Sequence, residues 1–309
     1  MKKTFVMMFA AAFAALSLGA AEAAAPAVSA EAQGEAKAAA KAPAKKAAAK
    51  KPAAKKPAAK KPAAKKAVPM PADGGLKNST TPTYRQNPNA AKKTGWHSRY
   101  AAKAKQIADY KNDVEIVFIG DSITHYWDTD SKTNVRKIGG LDTYKKYFSN
   151  YKLINLGYSG DRTQHALWIA AKSPYLDNIK PKMVTVMIGT NNIGHNASTP
   201  EAAAAGVTKV VEALRTRLPE TKIVLFGVFP RDAKANTPRR KKVTAINNII
   251  SKLADDKNVY YCDITEKFLD KNGNLPKSMM PDFLHPNDNG YEVWAQAMMP
   301  YVEKFVGKK

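Results

Sequence analysis

Two stretches far apart in the chain carry residue types that could together attack a carbonyl. Gly120-Asp121-Ser122 closes an apolar, β-branched run that begins at Val114, and Asp282-Phe283-Leu284-His285 lies near the carboxyl end. A serine hydroxyl is a poor nucleophile until a base takes its proton, and a histidine three residues after an aspartate can serve as that base. Two further polar blocks follow apolar runs. They are Asn155-Leu156-Gly157-Tyr158-Ser159-Gly160-Asp161 and Gly189-Thr190-Asn191-Asn192. The glycines of the former allow backbone N–H groups to approach a ligand closely. Gly-Asp-Ser alone is a weak signal, because any strand-to-loop turn uses such residues; the four blocks in this order carry the weight.

Rival assignments are poorer in partners. Ser159 also follows an apolar run, but no Gly-x-Ser-x-Gly elbow occurs, which disfavours the larger α/β-hydrolase arrangement. His97, His125, His165 and His195 have no aspartate three residues before them and read as packing or surface histidines, with His125 and His195 close enough to the blocks to border a pocket. Asp121 reads as a carboxylate that accepts backbone hydrogen bonds in its turn. The charge run Arg239–Lys242 reads as a solvated helix face. His-Glu-x-x-His, paired cysteines and a Walker loop are all missing, so no metal, nucleotide or other cofactor is expected.

Positioning these blocks requires alternating strands and helices. Candidate strands are Val114–Ile119, Lys152–Leu156, Met183–Ile188, Lys222–Val228 and Val259–Ile264. Candidate helices are Trp96–Tyr110, Gln164–Ala171, Pro200–Arg217, Pro238–Asp255 and Gly290–Val306. Thr199-Pro200 and Thr237-Pro238 each place a capping residue before a proline at the first helical position. Such alternation predicts an α/β domain whose parallel sheet is covered by helices on both faces, with the chemistry at the carboxyl ends of the strands.

The four blocks, in this order, resemble the GDSL, or SGNH, hydrolase family, over about Trp96 to Val306. Gly160–Trp168 and Gly-Thr-Asn-Asn look most like its platelet-activating-factor acetylhydrolase branch. The resemblance implies a flavodoxin-like three-layer sandwich with a five-stranded parallel sheet, and serine ester hydrolysis. It further implies Ser122 as nucleophile, His285 as general base, and Asp282 holding the imidazole tautomer. By the same resemblance an oxyanion would meet the backbone N–H of Ser122, the backbone N–H of Gly160 and the side-chain amide of Asn191. Asn192 departs from the usual Gly-x-Asn-Asp. Neighbouring side chains of an extended segment point to opposite sides, so Asn191 and Asn192 are expected to differ in role.

Composition divides the chain. Its 309 residues carry a formal net charge of +24, yet twelve lysines and no acid lie between Lys37 and Lys66. From Thr94 onward 32 Lys+Arg face 22 Asp+Glu, so the basic character belongs largely to the tail. Met1-Lys2-Lys3, an apolar stretch to about Ala20 and Ala21-Glu22-Ala23 read as a secretory signal peptide, residues 1–23. Residues 24–93, with Lys-Lys-Pro-Ala-Ala recurring from Lys50, read as a disordered, self-repelling linker that could touch an anionic surface or polymer. Residues 94–309 remain for the hydrolase domain, which the lone Cys262 leaves without an internal disulfide. The expected protein is an exported esterase, periplasmic or extracellular, removing short acyl groups such as acetyl from glycans and making no specific nucleic-acid contact. The alternatives are a phospholipid or lysophospholipid acylhydrolase, and a non-catalytic polyanion-binding protein on a hydrolase scaffold.

Overall fold

Apolar residues alternate to both sides of every strand, and a sheet buried on both faces results. The computed structural model describes residues 70–85, 95–194 and 196–309; the expected signal peptide, the linker up to residue 69, residues 86–94 and His195 lie outside the described residues. Five strands, β1 (Ile116–Gly120), β2 (Leu153–Gly157), β3 (Met183–Met187), β4 (Lys222–Phe226) and β5 (Val259–Cys262), lie in the order β2-β1-β3-β4-β5. All four pairings are parallel. The order reverses between β1 and β3, and a doubly wound sheet opens its crevice at the carboxyl ends of those two strands. Gly120 is in register with Gly157 of β2 and Met187 of β3, so the first three blocks leave the sheet side by side.

The helices among the described residues are α1 (Leu76–Thr80), α2 (Trp96–Asp109), α3 (Ser122–His125), α4 (Leu141–Phe148), α5 (Thr163–Lys172), α6 (Thr190–Gly194), α7 (Pro200–Arg217), α8 (Pro238–Ile250) and α9 (Asp288–Phe305). Val117, Ile119, Val184 and Val186 join residues of α2, α5, α7 and α8 in one core. Ile116, Phe118, Met183 and Phe226 join Trp127, Phe148, Tyr291, Trp294 and Met298 in the other, beneath α4 and α9. These are the three layers the resemblance implies. The helix starts obey their caps: the Thr199 hydroxyl accepts from the Ala202 N–H, and the Thr237 hydroxyl from the Arg240 N–H. A cap of this kind contributes about 1 kcal/mol.

Four expectations are corrected. Residues 70–84, assigned to the linker by composition, pack on the domain: α1 lies against α7 and α5, and Ser79 has no exposed surface. The Gly189–Asn192 block leaves β3 as the helical turn α6 rather than as extended chain, because the Asn192 N–H bonds back to the Gly189 carbonyl. The α8 helix stops at Ile250, and a 3-10 turn over Ser251–Leu253 completes it. Arg240, within the charge run, is buried rather than solvated, its guanidinium donating to the carbonyls of Arg231, Asp232 and Gly273.

Candidate active site

The serine is presented by a very tight turn. Asp121 caps α3, its carboxylate accepting from the Ile123 N–H at 2.9 Å, as the sequence reading held. The turn from β1 into α3 passes so close to β2 that a Cβ on Gly157 would lie 2.4 Å from the His125 nitrogen. Asn155 ties the two strand ends together, donating to the Thr124 carbonyl at 2.9 Å and accepting from the Gly157 N–H at 2.9 Å. From the other face Tyr291 of α9 donates to the Ile123 carbonyl at 2.6 Å, and its ring packs 4.4 Å from that of Trp127. Ser122 is therefore fixed from three sides and is 5% exposed.

The histidine reaches it from a loop. Phe283 takes a φ of 57°, an uncommon conformation for a bulky residue, which bends the chain so that Asp282 and His285 face one another. His285 Nδ1 lies 2.8 Å from Asp282 Oδ2, and His285 Nε2 lies 2.8 Å from Ser122 Oγ. The second Asp282 oxygen accepts the backbone N–H groups of His285 and Leu284. Partial burial alone would raise the Asp282 carboxyl, but the bonds from the His285 ring and backbone outweigh it and hold the group below the ordinary carboxylate value. With Nδ1–H given to an ionised Asp282, Nε2 is left as the acceptor for the serine proton. The tautomer follows from these partners.

Gly160 and Asn191 are linked through Asp161, the last residue of the second block. The Asn191 side-chain amide donates to the Asp161 carbonyl at 2.9 Å, leaving its second N–H for a ligand. Gly160 has a φ of +83°, which a glycine adopts without strain. Asn192 turns away from Asn191. Its amide donates to Thr163 Oγ1 at 2.9 Å and reaches Ser79 and Ser198, while its carbonyl accepts the Thr163 N–H at 3.0 Å. The two asparagines do diverge, by rotation about a helical turn rather than by strand alternation.

The rival groups face elsewhere. His125 Nδ1 accepts the Ser159 backbone N–H at 3.2 Å, and among the described residues Ser159 Oγ pairs only with the Tyr126 hydroxyl at 3.3 Å. His165 Nδ1 accepts the Arg162 N–H, and His97 packs near the rings of Tyr84 and Trp96. Burial, assisted by nearby arginines, pushes His125 and His165 each down to about 4. Burial pushes Asp121 up to about 6 and Asp161 up to about 7, against the opposing pull of the Ile123 N–H and of Arg85 respectively.

Three groups at the site had no motif to reveal them. Arg136 donates to the Tyr126 hydroxyl at 2.9 Å and stands 3.5 Å from Asp282. Arg231, 7% exposed, donates to the Thr190 carbonyl at 2.8 Å and so braces α6. Arg85 pairs with Asp161 at 2.8 Å. The one sequence signal for the last was the end of the lysine repeat at Lys66, after which Met70, Leu76 and Tyr84 supply large apolar residues.

Known proteins are similar to this chain in sequence and in fold. A family model for the GDSL-like lipase/acylhydrolase family matches residues 118–293. The platelet-activating factor acetylhydrolase IB subunit alpha2 of Rattus norvegicus is 33% identical over 199 residues, spanning 63% of this chain and 76% of that protein. Subunit alpha1 of Homo sapiens is 30% identical over 203 residues, spanning 65% and 79%. Among solved structures, a GDSL-like lipase from Bacteroides thetaiotaomicron VPI-5482 superposes with a TM-score of 0.53 at 20% identity, covering 66% of this chain and 97% of that one.

Proposed function

This chain belongs to the GDSL-like lipase/acylhydrolase family and is an ester hydrolase, and we propose that it is an exported serine esterase removing short acyl groups, acetyl above all, from glycans. The observation that carries the mechanism is the unbroken chain Ser122 Oγ–His285 Nε2 and His285 Nδ1–Asp282 Oδ2, each link 2.8 Å. In the first step Ser122 Oγ bonds to the ester carbonyl carbon as its proton passes to His285 Nε2. The carbonyl oxygen takes the negative charge and meets the N–H groups of Ser122, Gly160 and Asn191. Collapse breaks the bond to the alcohol, which leaves with the proton from His285. Water then attacks the acyl-serine, gives its proton to the same nitrogen, and releases the acid and free Ser122. Asp282 stabilises the imidazolium in both halves.

Acetyl is supported by the relatives at 30–33% identity, which are acetylhydrolase subunits. Glycans are supported by the signal-like residues 1–23, since an exported enzyme meets polymers outside the cytoplasm. Residues 24–69 serve as a spacer in this reading. The test is a panel of p-nitrophenyl esters of rising chain length, run beside acetylated xylan and an acetylated phospholipid. Activity should be greatest on acetyl and extend to the glycan. Preference for the phospholipid would replace the substrate while keeping the mechanism. An organophosphonate should label Ser122 alone, and Ser122→Ala should abolish turnover with little change in the melting transition; labelling at Ser159 would overturn the assignment. Cell fractionation tests export, and an uncleaved chain confined to the cytoplasm would contradict it.

A further inference from the structure

Residues 70–85 contact the α6 turn that carries Asn191 and the loop that carries Gly160. Near their start, the Thr199 N–H donates to the Gly74 carbonyl, and Ser79 Oγ meets Ser198 Oγ at 2.7 Å and accepts from the Asn192 amide. The Ser79 carbonyl accepts from Thr163 Oγ1 at 3.0 Å, and the Thr83 N–H donates to the Gln164 carbonyl at 3.0 Å. The segment thus touches the chain after the third block, then the start of α5, and reaches the second block at Arg85.

Arg85 makes two contacts there, one on each side of Gly160. Its Nη1 donates to the Ser159 carbonyl and, at 2.8 Å, to the Asp161 carboxylate. That carboxylate has no exposed surface, whereas the Arg85 side chain is one-third exposed at 33%. The guanidinium also occupies the space that a side chain on residue 160 would need, since a Cβ there would lie 2.9 Å from Nη2. Asp161 in turn supplies the carbonyl that orients the Asn191 amide. One guanidinium nitrogen, Nη1, therefore bonds the residues before and after Gly160, and through the second of them bears on Asn191.

We propose that Arg85 is a positioning residue for the oxyanion site, clamping Ser159–Asp161 so that the Gly160 N–H and the Asn191 amide converge on one point. The inference rests on the oxyanion roles given to those two residues above. A lysine ammonium would neutralise Asp161, but its N–H groups rotate on a flexible stem, whereas the planar guanidinium fixes the directions of the two Nη1 N–H bonds, one to Ser159 and one to Asp161. An oxyanion donor displaced by about 1 Å can cost on the order of 10²-fold in rate while hardly altering ground-state binding.

The test is steady-state kinetics of the full chain on p-nitrophenyl acetate, with a melt for each variant. Arg85→Gln is expected to lower kcat about 10- to 100-fold with KM nearly unchanged. Arg85→Lys, which keeps the charge on Asp161, should keep the melting temperature of the wild type yet recover only part of kcat. In a cycle with Asp161→Asn, the double variant should lose far less than the product of the single losses, since both changes break the same clamp. Wild-type kcat in Arg85→Lys, a rise in KM with kcat intact, or strictly multiplicative losses would each overturn the proposal. Should Arg85→Gln fail to fold, Arg85→Lys decides alone. Ser122→Ala, run in parallel, separates the two readings: if it is as active as the wild type, the esterase mechanism fails, whereas a dead Ser122→Ala beside a fully active Arg85→Lys sinks only the clamp.

Discussion

At the scale of single residues, neighbours in sequence have been given unlike tasks. Asn191 points one N–H at the Asp161 carbonyl and has no second partner for its amide among the described residues, while Asn192 spends its amide on Ser79, Thr163 and Ser198 inside the protein. Removing one oxyanion donor from a water-poor site typically costs about 2.7–4 kcal/mol, or roughly 10²–10³ in kcat. Asn191→Ala should therefore lose kcat on that scale with a nearly unchanged KM and melting temperature. Asn192→Ala leaves the buried Thr163 N–H without its acceptor and should cost about 1–3 kcal/mol of stability. Its kcat should fall less. Steady-state kinetics with thermal melts of both variants check this, and a catalytically crippled Asn192→Ala beside a normal Asn191→Ala would reverse the roles.

At the scale of elements, the site depends on pieces that are short and far from one another in sequence. The α3 and α6 helices span only four and five residues, too few to be stable by propensity alone. They persist because others hold them: Tyr291 of α9 bonds the Ile123 carbonyl, and Arg231 bonds the Thr190 carbonyl. The α1 segment belongs to this group of braces. A chain begun near Ala64 should therefore keep the melting temperature and kcat of the full protein. One begun at Lys92 strips partners from Asn192, Thr163 and Asp161, and both quantities should drop. Equal kcat for the two would mean that residues 70–85 are dispensable, as their composition first suggested.

At the scale of the whole molecule, buried ionisable groups set how stability follows pH. His125 and His165 titrate near 6.5 when unfolded and near 4 in the fold. A depressed histidine contributes stability that is complete above its unfolded value and is lost as pH falls toward its folded one. Asp121 and Asp161, raised from 3.8 to about 6 and about 7, act in the opposite sense and disfavour the fold as pH rises through those values. His125→Asn, whose side-chain carbonyl can still accept the Ser159 N–H, removes one of the histidine contributions. Its melting temperature relative to wild type should rise as pH falls from about 6.5 to 4, and a gap independent of pH would contradict this. Outside the domain, twelve lysines without an acid form a local polycation. The full chain should bind an anionic polymer more tightly than one begun near Ala64, and salt should weaken that binding. Equal binding by both would leave the lysine stretch as a spacer.

Much of this protein was legible in its sequence, because the signals were local. Strand-length apolar runs and Thr-Pro helix starts placed the α/β class and the strands, since periodicity and capping act over a few residues. The motif blocks marked Ser122, Asp282 and His285, whose side chains the fold links at 2.8 Å, Ser122 to His285 and His285 to Asp282. Strand alternation predicts that Asn192 differs from Asn191; the two do differ, but because they sit on a helical turn, α6. What the sequence could not disclose was decided by contacts between distant residues. Arg85 and Ser79 sit where composition still suggested linker, and only the folded chain sets them against Asp161 and Asn192. Arg240 looked like one more solvated charge until three backbone carbonyls from two separate loops converged on it. A hydrogen bond across long chain separations has no periodic trace in one strand of letters; the tertiary structure alone brings its two ends together.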